Sequence, residues 1–347
     1  MTLGAARPDR PHIVDVHTHG LPRYLPNFTN RFGGSWPELV QTGSCTADIL
    51  VGGRHFRSIT DHCWDPQRRL EDMDADGVAM QVVSPIPITF SYGLNHEGVA
   101  TLSRIQNEWI AGLVRDHPSR FAGLGTVPLQ DPARAAEMAV AIVRDLKLAG
   151  VEIGSNVGGR SLDDPALEPF FAACAEESAL IFVHPCNVLG ADRLSKHGLA
   201  HSIGMGAETA AAAASLVLGG VLDRHPGLKI LLAHGGGAFL GLLSRIDRIW
   251  ECLPQAGDTS DRPSSYVGRF YYDSLVFDPD ALAALIARVG AERVAIGTDY
   301  PFMIAERPAG AALFAAGLIE AVTTSVTSTT ATTILGLSQD RVGSHPR

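Results

Sequence analysis

Short runs of apolar and β-branched residues alternate with longer helical patterns along most of the chain, and no other feature restricts its fold so tightly. Eight runs read as strands: residues 13–17, 78–84, 121–127, 151–154, 180–184, 229–234, 270–274 and 294–298. Between them the apolar spacing is helical, over residues 66–75, 96–117, 131–147, 165–178, 207–224, 238–252 and 279–289, with a further helical stretch after Pro308. Eight β/α alternations with mostly buried strands favour a parallel sheet. A closed (β/α)8 barrel is its usual eight-strand form, and a doubly wound open sheet is the alternative. The chain has 347 residues, which suits a single barrel domain spanning 1–347. One stretch, about 20–66, is rich in Gly, Pro and aromatic residues and exceeds an ordinary βα loop. It predicts a small insertion after strand 1, folded over the strand ends of an α/β TIM barrel.

The composition narrows the class of partner. Apolar residues make up 46% and charged residues 19%, as in a soluble enzyme with a sizeable core. The formal net charge is -9 and the basic residues are scattered, which argues against nucleic acid and against an anionic membrane surface. The five cysteines (Cys45, Cys63, Cys174, Cys186, Cys252) are widely spaced and contain no Cys-x-x-Cys, so a reducing compartment without a disulfide framework is expected. Residues 5–11 form a polar arm broken by two prolines, lacking the apolar core of a signal peptide. The alanine run at residues 210–214 is too short to span a bilayer. The expected setting is cytoplasmic, with a small-molecule substrate.

The first strand ends in His17-Thr18-His19. Side chains alternate along a strand, so His17 and His19 share a face while Thr18 points away. Three further strands end in a ligating residue: His184, His234 and Asp299. In a barrel these C-terminal strand ends form the face that carries active sites. His17, His19, His184 and Asp299 would supply three imidazoles and a carboxylate to one divalent ion, leaving His234 as an acid or base. The competing assignment makes His234 a fourth imidazole ligand. His234-Gly235-Gly236-Gly237 resembles an esterase oxyanion loop, but the chain has no Gly-x-Ser-x-Gly elbow. It also lacks a phosphate-binding glycine pattern. Close backbone approach is the remaining role for the three glycines.

These residues resemble the amidohydrolase superfamily, and more narrowly the aminocarboxymuconate-semialdehyde decarboxylase group. The likeness continues through Phe56-Arg57, Cys63-Trp64-Asp65-Pro66, Met73-Asp74, Phe90-Ser91-Tyr92 and Gly123-Leu124-Gly125-Thr126-Val127-Pro128. It extends through His184-Pro185, Gly204-Met205, Ala207-Glu208-Thr209, His234 to Phe239, and Gly297 to Phe302. The resemblance implies a metal-dependent, non-oxidative decarboxylase of an unsaturated or aromatic carboxylic acid, in a distorted (β/α)8 TIM barrel. It matches His17, His19, His184 and Asp299 to the family's ligands of zinc, with manganese as an alternative, and His234 to its catalytic histidine. Arg57 resembles an arginine that binds the substrate carboxylate. Arg245 resembles one that reaches the neighbouring subunit's pocket, which implies a homodimer.

The chain departs from the group's pattern in four places. A further family arginine falls near Leu253, with Arg248 out of register, and the Trp that follows His-Pro is Cys186. Two loop aromatics align with Gly198 and His201. The fourth barrel strand carries Glu152 but no lysine, which favours one metal unless Glu152 bridges a second. Asp273, at the seventh strand's end, reads as structural. A hydrolase of an amide or lactone on the same barrel is the alternative activity.

Overall fold

The computed structural model describes residues 12–253 and 255–338; the polar arm at residues 5–11 lies outside them. Among the described residues there are eleven strands: β1 (Ile13–Gly20), β2 (Pro37–Gln41), β3 (Thr46–Val51), β4 (Arg54–Thr60), β5 (Val78–Pro85), β6 (Phe121–Gly125), β7 (Gly150–Gly154), β8 (Leu180–His184), β9 (Lys229–Leu232), β10 (Phe270–Asp273) and β11 (Val294–Ala295). Strands β1 and β5 to β11 pair in that order as one parallel eight-stranded sheet. The segment after β11 returns to β1. Val16 N–H donates to Ile296 O at 2.8 Å, Asp299 N–H to His17 O at 2.9 Å and His19 N–H to Tyr300 O at 2.7 Å. Those bonds make a barrel, not the open sheet.

Alternate residues of the strands fill its interior: Val14, Val16, Met80, Val82, Leu124, Leu180, Phe182 and Leu231 form one buried cluster. The opposite faces pack against the surrounding helices in a larger cluster that includes Phe121, Ile153, Ile181, Phe239 and Phe270. Helix starts follow from local chemistry. Asp65, Asn95, Asp131 and Asp278 each accept a main-chain N–H of the first turn, ahead of helices Pro66–Asp76, His96–Asp116, Pro132–Arg144 and Pro279–Val289.

Some boundaries differ from the sequence pattern. Strand β9 stops at Leu232 and β11 at Ala295, because the chain turns sharply just below His234 and Asp299. The helical stretch after Pro308 is broken once, between Ala311–Ala315 and Glu320–Thr324; the latter runs on through a π-helical turn at Ser325–Thr329 into Thr330–Leu335. Its run of threonines has weak helix propensity.

The insertion is a three-stranded antiparallel sheet in the order β2-β3-β4. Trp36, Ala47, Ile49 and Ile59 from it pack with Leu21, Trp64, Ile86 and Val99 of the barrel's loops and helices. That contact fixes β4 over the mouth of the barrel. Among the described residues no helix is long and apolar enough to cross a membrane, and all five cysteines are free.

Candidate metal centre

Strand β1 delivers two histidines to one place through an irregularity. Asp15 pairs with Gln81 and Thr18 with Val83, so β1 has one residue more than β5 between these pairs. Such a bulge re-aims the side chains beyond it. Val16 and His17 both turn inward: Val16 belongs to the inner cluster, and the His17 ring stands 4.8 Å from that of Phe182. Thr18 points outward, where Arg69 of helix Pro66–Asp76 reaches it. The buried Arg69 guanidinium donates to Thr18 Oγ1 at 2.8 Å, His19 O at 2.7 Å, His62 O at 3.1 Å and Gln81 Oε1 at 3.1 Å. Nothing in the residue spacing distinguishes Arg69 from the solvated Arg68 beside it.

The three imidazoles are held in one tautomer. Asp273 Oδ2 lies 2.7 Å from His17 Nδ1, Pro85 O 2.9 Å from His19 Nδ1 and Pro185 O 3.0 Å from His184 Nδ1. Carbonyls and carboxylates only accept, so each Nδ1 carries the proton and each Nε2 presents a lone pair. His17 Nε2 and His19 Nε2 are 3.1 Å apart. Asp299 Oδ1 stands 3.2 Å from the second and 3.6 Å from the first. One donor atom from each of His17, His19, His184 and Asp299 falls within 4.8 Å of every other. Lone pairs crowded this closely repel unless an electrophile sits among them. Three neutral imidazole nitrogens and a carboxylate fit a divalent metal ion.

Burial favours the neutral, ligating form at two of the three rings. Burial pushes the His184 pKa well below the ordinary histidine value, and the surrounding histidines add to the shift. His19 is lowered for the same first reason. His17 is raised, because burial is outweighed by Asp273. Burial works against the Asp299 charge, yet the adjoining His19 and His17, once either ring takes up a second proton, outweigh it and hold its carboxyl below the usual range. Asp299 sits at φ 64° and His234 at φ 56°. A left-handed backbone costs such residues of the order of 1–3 kcal/mol and collects at functional sites.

His234 stands beside the cluster, its ring 5.3 Å from those of both His17 and His184. Its Nδ1 is buried and has no hydrogen-bond partner among the described residues, and burial lowers its pKa. The turn that carries it needs its glycines. Gly235, Gly236 and Gly237 all have positive φ, and a Cβ on Gly237 would meet Gly206 O at 2.2 Å. Asp273, which the sequence reading treats as structural, accepts from His17 and also from His234 N–H at 2.9 Å and Gly235 N–H at 2.8 Å. Its position at a strand's C-terminal end was the available signal.

Glu152 on β7 faces this cluster and is fully buried, its Oε1 3.7 Å from His19 Nδ1. Among the described residues neither carboxyl oxygen has a hydrogen-bond partner of good geometry, the nearby Ser84 hydroxyl being only a weak one. Burial, with Asp299 adding to it, pushes its pKa well above the usual range. It therefore favours the uncharged acid and lies outside the four-residue donor set.

Arg57 on β4 comes down from the insertion. Its guanidinium lies 4.2 Å from the centre of the Phe302 ring, which in turn stacks on His19 at 5.3 Å. Arg245 lies on the exposed face of helix Phe239–Cys252, along with Leu242 and Ile249, and does not enter this chain's own pocket. Arg248 pairs with Glu251 at 3.4 Å, and Leu253 is exposed. Cys186 packs down against Gly154, its Sγ 2.4 Å from where a Cβ on that glycine would be.

Comparison with known proteins agrees with this geometry. Residues 14–337 match the amidohydrolase family model. The chain is 39% identical over 296 residues to 2-amino-3-carboxymuconate-6-semialdehyde decarboxylase of Dictyostelium discoideum, covering 84% of this chain and 82% of that one. The structure of 5-carboxyvanillate decarboxylase from Sphingomonas paucimobilis superposes with a TM-score of 0.75 at 31% identity, over 80% of this chain and 85% of that one. The corresponding enzyme from Novosphingobium aromaticivorans, solved with manganese and 4-hydroxy-3-methoxy-5-nitrobenzoic acid, gives 0.75 at 25% identity, over 80% and 82%. The chain belongs to the amidohydrolase family, and within it to the decarboxylases.

Proposed function

We propose that the chain removes CO2, without oxidation, from an unsaturated or aromatic carboxylic acid of the carboxymuconate-semialdehyde or hydroxybenzoate type. His17, His19, His184 and Asp299 hold one divalent ion, His234 carries the proton, and Arg57 binds a substrate carboxylate. The observation that carries this reading is the convergence of three Nε2 lone pairs and Asp299, with the partnerless Nδ1 of His234 next to them. An ion held by His17, His19, His184 and Asp299 would supply Lewis acidity toward substrate oxygens. Loss of CO2 leaves an electron pair on carbon, which takes up one proton. A histidine of lowered pKa rests as the neutral base, so His234 is placed to take up a proton during the reaction and pass it on to that carbon. Arg57 offers a planar fork suited to a carboxylate, and Phe302 orients it.

Zinc is the ion we propose, since neutral imidazole donors in a tight cluster suit it. Manganese, present in a related structure, is the rival that metal analysis separates. We further propose that the chain works as one domain in a cytoplasmic homodimer. Exposed Leu242, Ile249 and Leu253 beside Arg245 support that assembly, in which Arg245 would enter the partner's pocket.

The test is CO2 release and ultraviolet change across muconate and hydroxybenzoate acids, with metal content measured alongside. Activity on at least one such acid is expected. Inactivity across the set, with amide or lactone cleavage present, would make the chain a hydrolase. His234→Ala should keep its metal and lose about 100- to 10,000-fold in turnover. Loss of metal together with activity would make His234 a ligand instead.

A further inference from the structure

One carboxylate beneath the centre is saturated. Asp273 Oδ2 accepts from His17 Nδ1–H at 2.7 Å and His234 N–H at 2.9 Å. Its Oδ1 accepts from Gly235 N–H at 2.8 Å and Leu275 N–H at 3.1 Å. An ionised carboxylate offers about four acceptor sites, and all four are used. The side chain has no exposed surface, so water does not compete for them.

We propose that Asp273 is a positioning residue that couples two tasks, fixing the metal-binding tautomer of His17 and seating the turn that carries His234. This rests on the reading above of His17 as a ligand and His234 as the proton carrier. The first task follows from the donor at His17 Nδ1. With its proton held toward Asp273, the lone pair lies on Nε2 and faces His19 and Asp299. The second follows from the backbone. His234 and Gly235 adopt successive positive φ values of 56° and 61°, an arrangement the residue type of His234 disfavours. Two main-chain N–H groups donated to one rigid acceptor offset that cost.

Asparagine cannot replace this group. With its NH2 at the Oδ2 position, it faces the His234 N–H donor and turns His17 to the Nε2–H tautomer, which cannot ligate. With its NH2 at the Oδ1 position, it faces the Gly235 and Leu275 donors and unseats the turn. Each orientation sacrifices one of the two tasks.

The test uses the full-length protein, stripped of metal and titrated with Zn2+ alone. Asp273→Asn should bind Zn2+ about 10- to 100-fold more weakly than wild type. At saturating Zn2+ its kcat should remain at least about tenfold lower at unchanged KM, because the His234 turn has shifted. Equal affinity and equal kcat in a folded variant would overturn the proposal. Nitrogen-15 chemical shifts of His17 in the metal-free wild type provide a measurement that needs no variant. An Nδ1–H tautomer supports the coupling, and an Nε2–H tautomer overturns it. Failure of the underlying reading looks different: wild type would then bind Zn2+ no more tightly than His184→Ala.

Discussion

Around His17, His19 and His184 each ring has its outer nitrogen tied to a fixed acceptor, whereas Arg57, one aromatic ring away, rests on the face of Phe302 without an ion pair among the described residues. The floor of the barrel mouth and its cover are thus built differently. Floor residues come from strand ends whose backbones are cross-bonded, and the two histidines of β1 have no exposed surface. The cover comes from a separate sheet and from loop residues such as Phe302, whose ring lies between Arg57 and His19. A rigid floor fixes where charge develops in the reaction. A cover held by ring faces and loops can change its substrate without disturbing that floor.

The sharpest way to break this division is at the floor. His184→Ala should lose its metal and at least about a thousandfold of turnover, because one of the three imidazoles disappears from the four-residue donor set. Metal analysis and CO2 release on the same preparation check it. Retained metal with retained turnover would mean that the four-residue cluster is not the centre.

Arg57→Ala tests the cover and should have a smaller, differently shaped effect. A charge-assisted hydrogen bond to substrate contributes about 1.5–3 kcal/mol, so KM should rise roughly 10- to 100-fold. Metal content should stay at the wild-type level and kcat should change little, since Arg57 touches none of the four ligating side chains. Unaltered KM across the acid series would remove Arg57 from the pocket. A loss of metal would show that floor and cover are one unit.

The same division describes what could be read from the sequence. His17, His19, His184, His234 and Asp299 were legible because strand ends are predictable from apolar runs, and a barrel gathers those ends on one face. The bulge that turns both Val16 and His17 inward was not, because a one-residue register shift leaves no mark on the apolar pattern. Asp273 was visible as a strand-end carboxylate, but its four donors arise from β1, the His234 turn and its own loop, which only folding brings together. Arg69 hides in an ordinary amphipathic helix. On the cover, Arg57 was reached through the family resemblance alone, and its stacking on Phe302 joins segments far apart in the chain. Long-range pairings between separate elements carry no local signal; the cover's sheet pairs neighbouring strands, but its docking onto Ile86, Val99 and Phe302 is of that kind.

The smallest effect belongs to the outer brace of the floor. Arg307 binds Asp72 through both terminal nitrogens, at 2.9 and 3.2 Å, and Asp76 at 2.7 Å, while the Tyr300 hydroxyl donates to Asp72 at 2.9 Å. This ties the segment just after Asp299 to helix Pro66–Asp76. Burial would raise the Asp72 carboxyl, but the hydrogen bonds from Arg307 and Tyr300 outweigh it and hold its pKa below the ordinary value. A carboxylate lowered in the folded state stabilises it above the unfolded pKa of about 4, and that contribution is lost as pH falls through the folded value. Arg307 is 42% exposed, so solvent screens the pair and about 0.5–1 kcal/mol is its expected worth. Arg307→Met should therefore unfold at lower urea concentration than wild type at pH 7, with the gap closing once the solution is acidic enough to protonate Asp72. Turnover should stay within about twofold, because the brace lies outside the ring of ligands. If turnover instead fell more than about tenfold with metal retained, Asp299 would depend on the brace for its orientation, and the rigid floor would extend to the outer surface of the barrel.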